Sequence, residues 1–137
     1  MTLPAYPAAA RLVRFFVSSA SDFAFYVDAD SLSAGADGVV RYALVARSPQ
    51  GAESVSFEGI RCRTREVRIY ATGRADRSWS RRDQPWRRIE PRNVQRWHNA
   101  LEAEYFCVGG IPIQSAAEGL EALQRGGHPR RSRAEGS

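Results

Sequence analysis

The two cysteines of this chain constrain its fold more than any other feature. Cys62 ends the apolar alternation of a predicted strand, and Cys107 follows an amphipathic stretch with helical spacing. A disulfide between them would tie a helix across a sheet, and disulfides persist in oxidising compartments. A metal site would need a CxxC motif or paired histidines, and a cysteine nucleophile beside His98 would need an oxyanion-type glycine motif. We predict the disulfide and leave free buried thiols as the alternative.

Short apolar runs predict an antiparallel meander of neighbouring strands. Turn sequences separate the runs, with Asp37-Gly38 before one strand and a hairpin connection at residues 48–51 after it. The predicted strands cover residues 12–17, 23–27 and 39–47, then a strand through residues 55 to 62, one through residues 67 to 71, and a short one near residues 86–89.

One of these strands changes the side of its apolar residues. Val55 and Phe57 share one parity, whereas Ile60 and Cys62 share the other, and Gly59 lies between the two pairs. A β-bulge inserts one extra residue and so restores a common side. The pattern predicts a bulge at Gly59, with both pairs buried in one core.

Two helices follow the strands. The first is predicted to begin at an Asn93 cap, with Val94, Trp97, His98, Leu101 and Tyr105 on one apolar stripe. The second begins at the capping box Ser115 to Glu118, presents Leu120 and Leu123 on one face, and ends at Gly126-Gly127. The predicted fold class is α+β: an antiparallel sheet of about five or six strands with one packed helix and a C-terminal helix.

The length of 137 residues predicts a single domain. Residues 1–10 are rich in proline and alanine and are expected to form an extended lead-in, and residues 11–127 are expected to form the domain. Residues 128–137 are charged and small, which is typical of a disordered tail. No apolar run has the length of a membrane span.

The net charge of +5 rests on arginine, because the chain contains no lysine. A high arginine content is typical of a GC-rich genome, but it also favours anionic partners. Arginines and tryptophans interleave in the segment 74–88, which offers guanidinium groups beside aromatic faces. The predicted binding residues are Arg74, Arg77, Trp79, Arg81, Arg82, Trp86, Arg87 and Arg88. The alternative is a solvated loop whose tryptophans cover the edge of the core.

Catalytic signals are weak. His98 lies on the apolar stripe of a helix, where a histidine is usually structural, and His128 lies in the predicted tail. Asp28 and Asp30 suit a turn better than acid–base chemistry. The chain contains no Walker loop, GxSxG or HExxH motif and no GxGxxG after a strand, so we predict no cofactor, no metal and no catalytic residue.

Several stretches resemble one proteobacterial family. They are residues 25–33, 37–42, 58–62, 68–74, 94–101 and 105–107, and they are similar to the neisserial CNP-like family of small exported proteins. The resemblance implies export to the periplasm or cell envelope, behind a signal or lipoprotein segment that does not precede Met1 here, and it implies no activity. The layout of strands, cysteines and helix is also similar to that of surface adhesin E domains.

These observations predict a non-enzymatic domain of the periplasm or envelope. It would bind a partner or an anionic ligand through the segment 74–88. The expected partners are an anionic glycan, a lipid headgroup or another envelope protein, rather than nucleic acid. The alternative is a hydrolase or nuclease that uses scattered acidic residues with His98, and such an enzyme would need a carboxylate–histidine cluster inside one pocket.

Overall fold

An antiparallel sheet organises the chain. The computed structural model describes residues 2–82, 84–90 and 96–131. Its strands are β1 Leu12–Phe15, β2 Ala24–Asp28, β3 Ser33–Ala34, β4 Val39–Arg47, β5 Glu53–Arg61, β6 Glu66–Gly73, β7 Trp79–Arg81 and β8 Arg87–Arg88. Their order is β1-β2-β4-β5-β6-β7, while β3 pairs with β4 and β8 pairs with β6. The predicted α+β class is confirmed, and β8 lies within the short strand predicted near residues 86–89. The additional strands β3 and β7 have only two or three residues, too few for alternation to show.

Two helical segments follow the sheet. The first, α1, covers Arg96–Ala100 and continues as π-helical turns over Leu101–Phe106, and a 3₁₀ turn follows at Val108–Gly110. The second, α2, covers Ala116–Arg125. Among the predicted stripe residues, His98, Leu101 and Tyr105 are buried. The predicted cap Asn93 and its neighbour Val94 lie outside the described residues.

The predicted ends of α2 are confirmed. The Ser115 hydroxyl accepts a hydrogen bond from the backbone N–H of Glu118 at 3.1 Å. The Glu118 carboxylate in turn accepts from the backbone N–H of Gln114 at 2.8 Å. Gly126 ends the helix in the left-handed conformation (φ 81°), which a residue without a Cβ adopts at little cost.

The main core lies between the helices and one face of the sheet, called here the helix face. Tyr42 and Leu44 from β4 and Ile60 from β5 pack there against Leu101 and Phe106, and all five are almost completely buried. Burying large apolar side chains contributes about 1.5–3 kcal/mol each. The predicted disulfide is present: Cys62, directly after β5, is bonded to Cys107, directly after the π-helical turns.

The opposite face of the sheet is also covered, which makes the predicted bulge at Gly59 wrong. β5 pairs with β4 without interruption, so Phe57 turns away from Ile60 and packs with Ala43 and Ala71 in a second, smaller core. The irregularity lies between β5 and β6, where Tyr70 is the extra residue. The change of side marks a sheet with two buried faces.

The lead-in covers part of that second face. The carbonyl of Pro4 accepts a hydrogen bond from the Trp79 indole N–H at 2.9 Å, and the Tyr6 ring lies 5.0 Å from the Trp79 ring. The carbonyl of Pro7 accepts from the guanidinium of Arg77 at 3.0 Å. These contacts hold the first residues of the chain against the sheet.

Residues 128–131 continue from α2 along the domain. His128 is buried, its backbone N–H donates to the carbonyl of Glu104 at 2.8 Å, and its Nε2 lies 2.7 Å from the Glu118 carboxylate. The rest of the predicted tail lies outside the described residues, and the predicted domain boundaries stay predictions. In the part of the chain that is described, no helix has the length and apolar content to cross the bilayer.

Candidate functional site: an arginine-lined cleft

A cleft of about 700 Å³ opens on the second face of the sheet, beside the small core. Most of its lining side chains are basic. The described residues that line it are Asp37, Val39, Arg41, Arg61, Arg63, Arg68, Tyr70, Arg81, Arg82 and Trp86. Six arginines therefore face one carboxylate among the described lining residues, and we call this site the arginine cleft.

Strand register places the central arginines together. Arg41 on β4 and Arg68 on β6 both pair with Gly59 on β5, so the three residues form one row across the sheet. Arg61 lies two residues beyond Gly59 and shares its face, because side chains alternate along a strand. The neighbours Ile60 and Val67 point to the helix face. Alternation thus sends apolar residues to the core and arginines to the cleft.

The Tyr70 ring forms part of the cleft floor and requires the glycine beneath it. A Cβ at Gly59 would come within 2.8 Å of the ring and hydroxyl of Tyr70, closer than real contacts allow. The ring also packs 5.6 Å from that of Phe57 and meets Trp86 edge-on at 6.4 Å. Gly59 and the extra residue in β6 together fix the position of this ring.

Two of the arginines are held by carboxylates. The Arg41 guanidinium donates to Asp37 at 2.7 Å, and this hydrogen bond holds the pKa of the Asp37 carboxyl below its ordinary value. The Arg61 guanidinium donates to Glu66 at 2.8 Å and lies 4.3 Å from the centre of the Trp86 ring. Both arginines are therefore oriented by neighbours before any ligand arrives.

Two guanidinium groups of the cleft retain a donor without a partner among the described residues. The Nε of Arg82 donates to the Thr72 hydroxyl at 3.0 Å. The Nε atoms of Arg41 and Arg68 are buried and have no hydrogen-bond partner among the described residues. Buried donors without partners are unusual in native structures and cost about 1–3 kcal/mol each.

The residues of the predicted binding segment lie in several parts of the structure. Arg81, Arg82 and Trp86 line the arginine cleft. Trp79 belongs to the second core, and Arg77 contacts the lead-in.

The remaining predicted residues lie elsewhere along the same segment. Arg74 donates to the Ser78 hydroxyl at 3.2 Å and the Trp79 carbonyl at 2.9 Å, and so closes its own turn. Arg87 and Arg88 form β8, which pairs with β6. The binding role of all eight predicted residues stays a prediction.

Sequence reasoning missed the arginines that the sheet contributes. Arg41, Arg61 and Arg68 each have an apolar residue directly before and after them, so the arginine and its apolar neighbours point to opposite faces of a strand. Arg63 lies two residues after Arg61 and so has the same parity. That pattern indicates a basic face across three consecutive strands. The predicted segment 74–88 is a cluster of neighbouring arginines, whereas this basic face becomes visible only when parity is compared across strands.

A second polar cluster lies on the helix face. The Glu58 carboxylate is completely buried and accepts hydrogen bonds from the Tyr42 hydroxyl at 2.9 Å and the Ser56 hydroxyl at 2.6 Å. The Trp97 indole N–H lies 3.2 Å from the same carboxylate, and His98 Nε2 lies 3.0 Å from it. We call this group the Glu58 cluster.

Side chains of the protein itself supply the hydrogen-bond partners of the Glu58 carboxylate. Burial alone would raise the pKa of the Glu58 carboxyl, but the charge of His98 and the hydrogen bonds from His98, Ser56 and Tyr42 outweigh it and lower that pKa. Burial raises the pKa of the Tyr42 hydroxyl well above its ordinary value, so Tyr42 stays a donor. Neither Glu58 nor His98 lines the arginine cleft. The contacts assign His98 the structural position that the helical stripe predicted.

Asp28 and Asp30 form the turn predicted for them. The Asp28 carboxylate accepts a hydrogen bond from the backbone N–H of Asp30 at 3.2 Å, and the Asp28 carbonyl accepts from the Ser31 hydroxyl at 3.1 Å. Asp30 forms an exposed ion pair with Arg11 at 2.9 Å. Both aspartates are therefore accounted for by local structure.

Fold and site together define a disulfide-bonded α+β domain with a basic cleft on one face of its sheet. The sequence pattern of the CNP1-like family matches residues 1–124. The chain belongs to the CNP1-like family, as the resemblance predicted. Searches of curated proteins and of solved structures find no match.

Proposed function

We propose that this chain is a non-enzymatic binding domain whose arginine cleft holds an anionic ligand. The observation that carries the proposal is the convergence of six arginines, from several strands and loops, on one cleft that has one carboxylate among its described lining residues. Like charges repel, by about 4 kcal/mol for a pair at 4 Å with the effective dielectric of a protein surface. An anion in the cleft would relieve this repulsion and provide acceptors for the guanidinium groups.

The proposal moves the binding surface from a loop to a face of the sheet. Arg81, Arg82 and Trp86 remain in it, whereas Arg74 and Arg77 do not line the cleft. A site built on strands is held more rigidly than one built on a loop alone, because β4, β5 and β6 fix its floor. An anionic glycan, a lipid headgroup and an acidic surface of another envelope protein are the partners considered.

We also propose that the domain works in the periplasm or cell envelope. The disulfide between Cys62 and Cys107 supports this, since such bonds persist in oxidising compartments and are rare in the cytosol. We do not propose the hydrolase alternative: Glu58 and His98 form the carboxylate–histidine pair that it would need, but both are buried. Neither group lines the arginine cleft.

Calorimetric titration with heparin, lipopolysaccharide and tripolyphosphate, at low and physiological salt, tests the proposal. We expect at least one of these anions to bind, with affinity falling steeply as salt rises, because each arginine contact releases counterions. The double variant Arg63→Gln/Arg82→Gln should weaken binding about tenfold or more, since a charge-assisted hydrogen bond contributes about 1.5–3 kcal/mol.

The matched control is Arg14→Gln/Arg74→Gln, which removes the same charge from outside the cleft. It should change the affinity by no more than about twofold, which is the scale of a screened long-range effect. Equal losses in both double variants would show a response to net charge alone and overturn the cleft assignment. Absence of binding by all three anions at low salt would overturn the function itself.

A further inference from the structure

Among the described residues, the side chains that line the arginine cleft mostly donate hydrogen bonds and offer few free acceptors. Arginine side chains carry only donors. The Asp37 carboxylate already accepts from the Arg41 guanidinium and from the backbone N–H of Val39 at 3.1 Å. The Tyr70 hydroxyl is engaged with Arg41 as well, an interaction that helps to raise the pKa of that guanidinium, after the larger effect of Asp37. A ligand must therefore present acceptor oxygens.

The aromatic rings of the cleft are already occupied by guanidinium groups. Arg61 lies 4.3 Å from the centre of the Trp86 ring. Arg68 and Arg41 lie 5.5 Å and 5.8 Å from the centre of the Tyr70 ring, whose remaining surroundings include Phe57 and Trp86. A nucleobase or other flat ring would compete with these cations for the ring faces. The contacts therefore favour a role of the rings in orienting arginines over a role as a stacking platform.

The lining arginines arise from backbone positions on three strands and in the segments beside them. Arg41 and Arg68 flank Gly59 across two interstrand spacings, so their Cα atoms stand roughly 10 Å apart. Arg61 lies two residues further along β5, which adds roughly 7 Å in the perpendicular direction. Arg63, Arg81 and Arg82 extend the lining beyond them. Several anionic groups in one ligand would engage this array.

We propose that the arginine cleft binds a non-aromatic polyanion composed of phosphate groups. This inference rests on the proposed anion-binding function and specifies its ligand. The oxygens of a deprotonated phosphate all accept hydrogen bonds, and two of them can pair with one guanidinium group. The hydroxyl donors of a uronic-acid chain would meet few free acceptors in the cleft, which costs affinity. The phosphates come either from condensed inorganic phosphate or from lipid headgroups.

The test compares probes that separate these features. Calorimetry measures binding of tripolyphosphate, of a galacturonate oligomer, of a thymidine oligonucleotide and of the abasic counterpart of that oligonucleotide with equal phosphate number. We expect tripolyphosphate to bind about tenfold or more tightly than the galacturonate oligomer, and the two oligonucleotides to bind equally within about twofold. Arg63→Gln/Arg68→Gln should lower the tripolyphosphate affinity about tenfold or more, and its melting temperature confirms that the variant is folded.

A vesicle assay assigns the source of the phosphate. Phosphatidylcholine vesicles with and without phosphatidate are sedimented with the protein, and free tripolyphosphate is added as a competitor. Phosphatidate-dependent sedimentation that tripolyphosphate reverses indicates a lipid headgroup, whereas tripolyphosphate binding without sedimentation indicates a condensed phosphate. Either outcome supports the inference.

Other outcomes overturn it. If galacturonate binds as tightly as tripolyphosphate, the cleft is an anion site without phosphate preference, so the proposed function stands and this inference fails. A thymidine oligonucleotide that binds much more tightly than its abasic counterpart would show that bases do stack. If no anion binds, both proposals fail together.

Discussion

The two faces of the sheet differ in how their charged side chains are paired. On the helix face, the buried carboxylate of Glu58 is surrounded by donors from Tyr42, Ser56, Trp97 and His98. On the other face, the described residues place six arginines and one carboxylate along a cleft, and two buried Nε atoms have no partner among them.

The difference separates a structural group from the group that we propose binds a ligand. A buried charge whose partners are all internal costs little to maintain and offers nothing to a ligand. A surplus of one charge with unused donors reduces stability, and natural proteins retain such arrangements where function requires them. Whether a polar group finds its hydrogen-bond partners within the protein is therefore a better guide to its role than its residue type. Histidine is a common catalytic residue, but the contacts of His98 are structural.

Removing the disulfide should have the largest effect, and it tests whether the helix face carries the stability. The bond closes a sequence separation of 45 residues, for which the chain-entropy estimate is about 4 kcal/mol. Cys62→Ala/Cys107→Ala should lower the free energy of unfolding in urea by about this amount. Tripolyphosphate affinity of the folded variant should stay within about twofold of wild type. A large loss of binding in the folded variant would show that the two faces are coupled.

The substitution His98→Ala comes next. It leaves the buried Glu58 carboxylate without its histidine partner, and breaking such a pair costs roughly 3 kcal/mol or more. The other histidine offers a comparison: the buried His128 contacts Glu118, whose side chain is 26% exposed, and accepts from the backbone N–H of Arg130 at 3.0 Å, so His128→Ala should cost less, about 1–2 kcal/mol. Urea denaturation of both variants measures the difference. Equal losses in the free energy of unfolding would mean that the Glu58 cluster contributes no more to stability than the contact between His128 and Glu118.

Acid should destabilise the domain partly through the same cluster. Because the folded-state pKa of Glu58 lies below its ordinary value of 4.5, its contribution is present above that value and is lost as the pH falls toward the folded pKa. The free energy of unfolding should therefore decline below pH 4.5, and less steeply in Glu58→Gln than in wild type. Glu66→Gln removes an ion pair whose side chains are 30% and 28% exposed, against none for Glu58, and should alter the pH dependence less. Identical curves for wild type and Glu58→Gln would contradict this account.

A cleft arginine should be nearly dispensable for stability. Arg68→Met keeps the apolar stem, removes a buried donor that has no partner in the described residues, and reduces repulsion. We expect stability to stay the same or to rise by up to about 1 kcal/mol. Thermal unfolding at low salt measures this. A loss of several kcal/mol would mean that Arg68 holds the sheet together, and the contrast between the two faces would then disappear.

Sequence patterns were sufficient for features set by neighbouring residues. The capping box at Ser115 and the turn at Asp28 depend on local hydrogen bonds, so composition and spacing predicted both. The cysteine pair was predictable because one thiol ends a strand and the other follows a helix.

Features set by tertiary packing were not predictable in this way. The parity change at Gly59 predicts a bulge only for a sheet with one core, whereas the lead-in and Trp79 cover a second face and bury Phe57 there. The arginine cleft also depends on register across β4, β5 and β6, which no single segment reveals. The partner of His98 is forty residues away in the chain, at Glu58.

The close approach of Gly59 to Tyr70 has a consequence for the history of the family. Any side chain at residue 59 would push the ring away and disturb the two arginines beside it. The two positions should therefore evolve as a pair: relatives with a larger residue at 59 should have lost the aromatic ring at 70. Where that exchange has occurred, the arginines at 41 and 68 should have been released from selection as well.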